Sequence, residues 1–142
     1  MQIRAGKEEE WALIQTVNES AFETPAEASL VTALREHARP VISLVAEDGR
    51  AILGHIMFSP VRLPGHPELK IMGLAPMAAS PEHQRQGIGS KLVRAGLEER
   101  AKAGHVLVIV PGTPNTTCAL DFDPQRILAF AGNMIARRRY LW

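Results

Sequence analysis

Cysteine and long apolar runs are scarce in this 142-residue chain, and each scarcity excludes a class of protein. The single cysteine, Cys118, can form neither an intramolecular disulfide nor a metal site of the Cys-x-x-Cys kind. No apolar run approaches the length that spans a membrane, and the charged stretch 7–10 leaves no room for a signal sequence at the start. We therefore expect a cytoplasmic protein without a membrane partner.

An excess of charge of one sign is lacking as well. Sixteen Lys and Arg residues offset fifteen Asp and Glu residues, and the formal net charge is +1. The only basic cluster is the short run 137–139, so we expect no binding to nucleic acid through phosphate neutralisation. The histidines are too far apart for metal-ligand spacing, and we interpret each as a surface or internally satisfied residue: His37, His55, His66, His83 and His105.

The length suits a single domain with a hydrophobic core, and its first half divides into a strand and two helices. Residues 1–4 alternate as a strand does, and helices are predicted over 8–21 and 25–37. Apolar residues recur at spacings of three and four on both helices, and they predict buried faces made of Trp11, Ile14, Val17 and Ala21, then Ala28, Val31 and Leu34.

Three antiparallel strands are predicted next. Asp48 and Gly49 separate the apolar runs 41–47 and 51–61, and Asp-Gly in that position favours a tight hairpin. A second turn around Gly65 returns the chain into a strand over 71–79. A helical pattern over 91–102 then ends near Gly104, and the apolar run 106–110 predicts a buried central strand.

Residues 84–90, called here the glycine-rich loop, connect the strand 71–79 to that last helix. A glycine-rich turn at a helix start leaves backbone N–H groups unpaired at the positive end of the helix dipole, where an anion binds. Gly87 and Gly89 let a pyrophosphate approach the main chain closely. A dinucleotide-binding motif is disfavoured because Leu92 stands where its third glycine belongs, and the Gly-Lys-Ser/Thr ending of a Walker loop is missing.

The strand, the loop Gln84-Arg85-Gln86-Gly87-Ile88-Gly89 and the helix together resemble the signature of the GCN5-related N-acetyltransferase (GNAT) superfamily. The resemblance implies an α/β fold whose mixed, largely antiparallel central sheet is flanked by helices, over a domain of residues 1–110. It also implies acetyl-coenzyme A as co-substrate, with the strand beside the pantetheine arm and the loop amides on the phosphates. The implied cofactor-binding residues are Met77, Ala78, Ala79, Gln84, Arg85, Gln86, Gly87, Ile88, Gly89 and Ser90.

The tail 111–142 does not resemble the family, and we expect the C-terminal part of the fold to be incomplete. A back-translation of 111–124, started at the third base of each codon, permits Gly-His-Pro-Glu-Tyr-Tyr-Leu-Arg-Phe-Gly-Phe-Arg-Pro, which resembles the missing family segment. We hypothesise a single-base insertion or deletion near the codons for 109–112, in the gene or in its reported sequence. A genuinely divergent tail is the alternative.

The predicted reaction is transfer of an acetyl group from acetyl-coenzyme A to a primary amine on an unidentified small molecule or protein. The family's acid is a tyrosine beyond the last central strand, whereas the one tyrosine here, Tyr140, lies in the atypical tail. No residue is therefore assigned as catalytic, and Glu19, Glu27 and Glu47 are as well explained as solvated surface carboxylates.

Several alternatives stay open. One alternative is a non-catalytic acyl-coenzyme A binding module. Another is a partner-binding domain that uses an exposed sheet edge. A homodimer, and the activity of this chain with its altered tail, are also left open. Apolar side chains on the strands either line an acceptor pocket or, more commonly, belong to the core: Met57, Phe58, Met72 and Met77.

Overall fold

A computed structural model describes residues 1–62, 64–105 and 107–109, together with the backbone of 127–128. Within these residues the helices are α1 (Trp11–Ala21), α2 (Ala26–His37) and α3 (Ile88–Lys102), with short 3-10 turns at Glu8–Glu10 and Pro81–His83. The strands are β1 (Gln2–Ala5), β2 (Ile42–Asp48), β3 (Ala51–Val61), β4 (Ile71–Ala79), β5 (Leu107–Ile109) and β6 (Ile127–Leu128).

The strands form one mixed sheet that follows chain order from β1 to β6. Strands β1 to β4 are antiparallel neighbours, whereas β5 runs parallel to both β4 and β6. The α/β class and the largely antiparallel sheet flanked by helices are thus confirmed. The prediction of an atypical, out-of-frame tail over 111–142 falls outside the described residues, except for the two residues of β6.

The β2–β3 hairpin has the predicted position and turn. Asp48 lies opposite Ala51, and Gly49 adopts a φ of +63°, a conformation that a β-carbon disfavours. Asp-Gly supplies this geometry without strain, which is why the two apolar runs on either side pair with each other.

Helices α1 and α2 have nearly the predicted bounds, but the buried face of α1 differs from the prediction in one respect. Ile14 and Val17 are buried as expected, whereas Trp11 and Ala21 are only half-buried. The third buried residue is Asn18, a polar side chain that apolar periodicity passes over. Its amide nitrogen hydrogen-bonds to the carbonyl of Ile14 and to His55 inside the protein, which offsets part of the cost of burial.

Helix α3 begins at Ile88, three residues before the predicted start at Lys91. Its buried face consists of Ile88, Leu92, Val93, Gly96 and Arg100. The predicted stop is confirmed, because Gly104 has a φ of +80° and its N–H donates to the carbonyl of Ala101 at 3.1 Å.

The sheet is buried on two faces, since side chains alternate along each strand. One face packs against α3 and forms the main core, which includes Leu44, Ala46, Ile56, Phe58, Met72 and Leu92. On the opposite face, His55 contacts α1 through Asn18. Met57, Phe58 and Met72 are at most 1% exposed and belong to the core.

Strand β4 contains one extra residue relative to β3. Ile56 lies opposite Met77 and Phe58 lies opposite Leu74, so two steps along β3 match three steps along β4. Leu74 belongs to the core on the α3 face, and Met77 packs against that same core. Because of the bulge, the side chains of Leu74 and Met77 lie on the same, α3, face of the sheet although they are three residues apart.

Candidate functional site

The predicted site residues are contiguous in the structure: they occupy the end of β4, the glycine-rich loop and the first turn of α3. The loop backbone has two left-handed positions, with φ of +61° at Arg85 and +79° at Gly87. Gly87 is also the residue that caps the N-terminus of α3. Gly87, left-handed, is followed directly by Ile88 in the right-handed helix, and such a step turns successive N–H groups toward one side, as in an anion-binding nest.

Three backbone donors at the start of α3 have no partner within the helix. The first helical hydrogen bond runs from the N–H of Lys91 to the carbonyl of Gly87, at 3.1 Å. The N–H groups of Ile88, Gly89 and Ser90 therefore precede the intrahelical ladder. They stand at the positive end of a 15-residue helix dipole, which favours a negatively charged ligand there.

The two glycines of the loop serve different purposes. A Cβ on Gly87 would meet no atom within 4 Å, so this position requires glycine for its positive φ alone. A Cβ on Gly89 would stand 3.4 Å from Sδ and Cε of Met77. Gly89 has no positive φ, and a Cβ there would make an ordinary contact with the flexible end of Met77, so glycine leaves the first turn of α3 open at this point.

The edge of β4 offers further backbone groups. The N–H of Ser80 donates to the carbonyl of Leu53 at 2.8 Å, which makes these residues a hydrogen-bonded pair across β3 and β4. Such pairs alternate with non-bonded pairs along an antiparallel ladder, so Ala78 is also bonded to β3 while Met77 and Ala79 are not. The N–H and C=O groups of Met77 and Ala79 consequently point away from β3, toward the β5 side.

On that side, β4 pairs with β5 only through Ile71, Met72 and Gly73 among the described residues. The carbonyl of Ala79 accepts a hydrogen bond from Nε2 of Gln84 at 3.2 Å, which ties the loop to the strand. The backbone groups of Met77 and the N–H of Ala79 remain on the β5 side of β4, next to the glycine-rich loop.

The carboxylates considered as bases do not gather at this site. Glu47 accepts hydrogen bonds from Arg4 at 2.8 Å, and this guanidinium lowers the pKa of the Glu47 carboxyl. Glu19 is exposed on α1 and Glu27 lies in the first turn of α2. Tyr140 and Cys118 fall outside the described residues.

Sequence reasoning missed one residue that contacts both halves of the site. Gly54 in β3 lies opposite Ala79, and a Cβ there would stand 2.9 Å from Cγ2 of Ile88. The signal available in the sequence was an isolated glycine within a strand, which often marks a close approach of neighbouring elements.

In the part of the chain that the structure describes, none of the helices has the length and hydropathy that a membrane span requires. Nor do three or more His, Cys, Asp or Glu side chains there form a group that could hold a metal ion.

Comparison with known proteins adds three kinds of similarity. The sequence profile of the Acetyltransferase (GNAT) domain matches residues 2–115. The chain is 35% identical over 104 residues to the uncharacterized N-acetyltransferase YhbS of Escherichia coli K12, covering 72% of this chain and 62% of that protein. It is 40% identical over 115 residues to the uncharacterized N-acetyltransferase YjhQ of the same organism, covering 78% and 63%.

Solved structures give the same relationship. A GNAT acetyltransferase of Brucella melitensis in complex with acetyl-CoA superposes with a TM-score of 0.74 at 37% identity, over 82% of this chain and 78% of that chain. The Escherichia coli YhbS structure in complex with CoA gives a TM-score of 0.78 at 31% identity, over 87% and 69%. The chain spans a little under two thirds of the length of the curated relatives it matches.

Proposed function

Because the chain belongs to the GNAT acetyltransferase family, we propose that it binds acetyl-coenzyme A and transfers the acetyl group to a primary amine. The observation that carries the proposal is the backbone of the glycine-rich loop, with its left-handed Arg85 and Gly87 and the three N–H groups ahead of the α3 ladder. Two relatives of known structure carry acetyl-CoA or CoA, which supports the same ligand here.

The proposed contacts divide between the loop and the strand. The amides of the loop and of the first α3 turn would bind the pyrophosphate, because several N–H groups and the helix dipole converge there. The backbone groups of Met77 and the N–H of Ala79, which face the β5 side, would hydrogen-bond the pantetheine arm. The proposed binding residues are those named from the sequence: Met77, Ala78, Ala79, Gln84, Arg85, Gln86, Gly87, Ile88, Gly89 and Ser90.

The reaction requires a neutral amine whose nitrogen attacks the thioester carbonyl. The C–N bond forms, the C–S bond breaks, the thiolate leaves and takes up a proton, and the amine nitrogen loses one. Negative charge develops on the carbonyl oxygen, so a fixed N–H donor beside it lowers the barrier. We assign this donor to the N–H of Met77 or Ala79, which points to the β5 side of β4 and is fixed by the sheet.

The first test is calorimetric titration with acetyl-CoA. Gly87→Glu should abolish binding, because it introduces negative charge at the phosphates and strains a φ of +79°. Gly65→Glu is a matched control, since Gly65 has a φ of +83°, is equally open, and lies outside the glycine-rich loop. Equal loss in both variants, or no binding by the unaltered chain, would contradict the proposal.

A non-catalytic acyl-coenzyme A binding module is the second candidate. It is favoured by the chain's single tyrosine, Tyr140, which stands in the tail rather than where the family's acid is expected. Release of free thiol in the presence of a panel of primary amines separates the two candidates. Binding without amine-dependent release supports the module, and amine-dependent release supports the enzyme.

The tail 111–142 is proposed to be out of frame, and activity is then impaired because the acid is absent. Support comes from the family-like shifted translation and from the profile match, which ends at residue 115. The gene's DNA, determined on both strands, should show the inserted or missing base near codons 109–112. A chain with the frame restored should turn over faster; an unchanged DNA sequence together with full activity would contradict this proposal.

The acceptor is proposed to be an amine-bearing small molecule or protein, and the location to be the cytoplasm. A homodimer remains a prediction, which sedimentation of the purified chain checks.

A further inference from the structure

Gly54 lies where three elements meet with no space for a side chain. A Cβ at this position would stand 2.9 Å from Cγ2 of Ile88, 3.0 Å from the carbonyl oxygen of Ala78 and 3.1 Å from Cδ1 of Leu92. All three distances are shorter than ordinary van der Waals contact. The glycine therefore fixes how closely the start of α3 approaches β3 and β4.

Two of these three neighbours cannot move aside without displacing backbone. Ile88 is 4% exposed and β-branched, so its Cγ2 methyl moves only if the first turn of α3 moves with it. The carbonyl of Ala78 is backbone within the β3–β4 ladder. A side chain at Gly54 would therefore displace the helix turn and the strand rather than the tip of one side chain.

The displaced groups are the ones that the proposed function uses. Ile88 contributes one of the N–H groups ahead of the α3 ladder, and Ala78 lies between the two residues whose backbone groups face the β5 side. We propose that Gly54 is a positioning residue for acetyl-coenzyme A: its missing side chain sets the separation between the loop donors and the β4 donors. This inference rests on the proposed function.

The chain offers a matched control at Gly73. A Cβ on Gly73 would also meet a side chain at 2.9 Å, Cγ2 of Val61, and its next neighbour would be the carbonyl oxygen of Ser59 at 3.8 Å. Gly73 lies near the start of β4, at the opposite end from the glycine-rich loop. An alanine there introduces one comparable close contact without touching the site.

The experiment compares Gly54→Ala and Gly73→Ala by acetyl-CoA titration, at a temperature below the unfolding of both variants. Gly54→Ala should raise the Kd about tenfold or more, the equivalent of one displaced hydrogen bond, and Gly73→Ala should leave it within about twofold. Equal changes in the two variants would overturn the inference, because Gly54 would then act only through general stability.

A second variant relieves the contact. Ile88→Leu moves the branch away from the Gly54 position while keeping the side-chain volume and leaves the contact with the Ala78 carbonyl in place. Gly54→Ala in the Ile88→Leu background should therefore raise the Kd by a smaller factor than Gly54→Ala does in the unaltered protein. If Gly54→Ala does not fold, this pair supplies the comparison. If the pair also fails to fold, Gly54 is a folding residue and the inference is wrong.

Amide chemical shifts of the free protein keep this test separate from the proposed function. Gly54→Ala should shift the amide signals of Ala78, Ile88 and Gly89, whereas Gly73→Ala should not. If these shifts occur in a protein that does not bind acetyl-CoA, the proposed ligand is wrong, but Gly54 still sets the positions of these amides. Unchanged shifts would overturn the positioning effect.

Discussion

The amide nitrogen of Asn18 lies 3.0 Å from Nδ1 of His55, and both residues are fully buried. The same nitrogen donates to the carbonyl of Ile14 at 2.9 Å, so the Asn18 nitrogen acts as a donor to both neighbours. Nδ1 of His55 must then accept, and the proton sits on Nε2, which donates to Oγ of Ser43 at 3.0 Å. His55 is held neutral, and burial lowers its pKa to about 4.

Acid should therefore destabilise the fold through His55. The unfolded state takes up a proton near pH 6.5, whereas the folded state does so only near pH 4, so stability is lost as the pH falls through this window. The full loss is about 3 kcal/mol. Urea unfolding between pH 7 and pH 4 measures it.

A non-titrating side chain at the same position supplies the comparison. His55→Gln should be less stable at pH 7 but should lose this part of the pH dependence. His37→Gln, at an exposed histidine, should keep it. A parent protein whose unfolding free energy stays flat from pH 6.5 to pH 4 would contradict the neutral, buried assignment.

Arg85 combines a strained backbone with a charged side chain, and two variants separate the contributions. Arg85→Gly should stabilise the protein by about 1 kcal/mol, because glycine adopts a φ of +61° without strain. It should also weaken acetyl-CoA binding and flatten its salt dependence if the guanidinium contacts phosphate. Arg85→Val should lower both stability and affinity. Affinity unchanged in Arg85→Gly would show that the side chain is merely solvated.

Gln84 and Gln86 form a natural pair for testing the link between loop and strand. Nε2 of Gln84 donates to the carbonyl of Ala79 in β4. Nε2 of Gln86 donates to the backbone carbonyl of Glu82, which lies outside β4. Gln84→Ala should weaken acetyl-CoA binding by a factor of roughly 2 to 10, the worth of one exposed hydrogen bond. Gln86→Ala should weaken binding less. Calorimetry of both variants measures this, and a larger loss in Gln86→Ala than in Gln84→Ala would contradict the prediction.

Gly96 should tolerate no side chain, because the ring of Phe58 occupies the space where a Cβ would stand. Gly96→Ala should therefore lower the free energy of unfolding by about 1–3 kcal/mol through overpacking, despite alanine's better helix propensity. Thermal melts test this directly. Adding Phe58→Leu should restore part of the lost free energy of unfolding, because the smaller side chain makes room for the Cβ. A melting temperature that rises in Gly96→Ala would contradict the close contact between Gly96 and Phe58.

Much of the fold is predictable because the residues that mark its boundaries act locally. Asp48 and Gly49 specify the hairpin turn through backbone geometry alone, and Gly104 ends α3 in the same way. The glycine-rich loop could be located for the same reason, since Gly87 and Gly89 precede an apolar helical pattern.

The remainder depends on tertiary partners that no local pattern encodes. The amide nitrogen of buried Asn18 is satisfied by His55 and the α1 backbone, and a hydrophobicity pattern cannot anticipate that. The role of Gly54 appears only when Ile88, distant in sequence, packs against it. The positive φ of Arg85 is likewise imposed by the turn rather than by the residue type.

The extra residue gives β4 one residue more than the segment of β3 with which it pairs. One residue fewer between Leu74 and Met77 would make the pairing regular, so Met77 would still lie opposite Ile56 but the bulge and its local bend would be lost. A substitution in this segment changes a side chain, whereas a deletion would remove the bend that the bulge introduces directly before the glycine-rich loop.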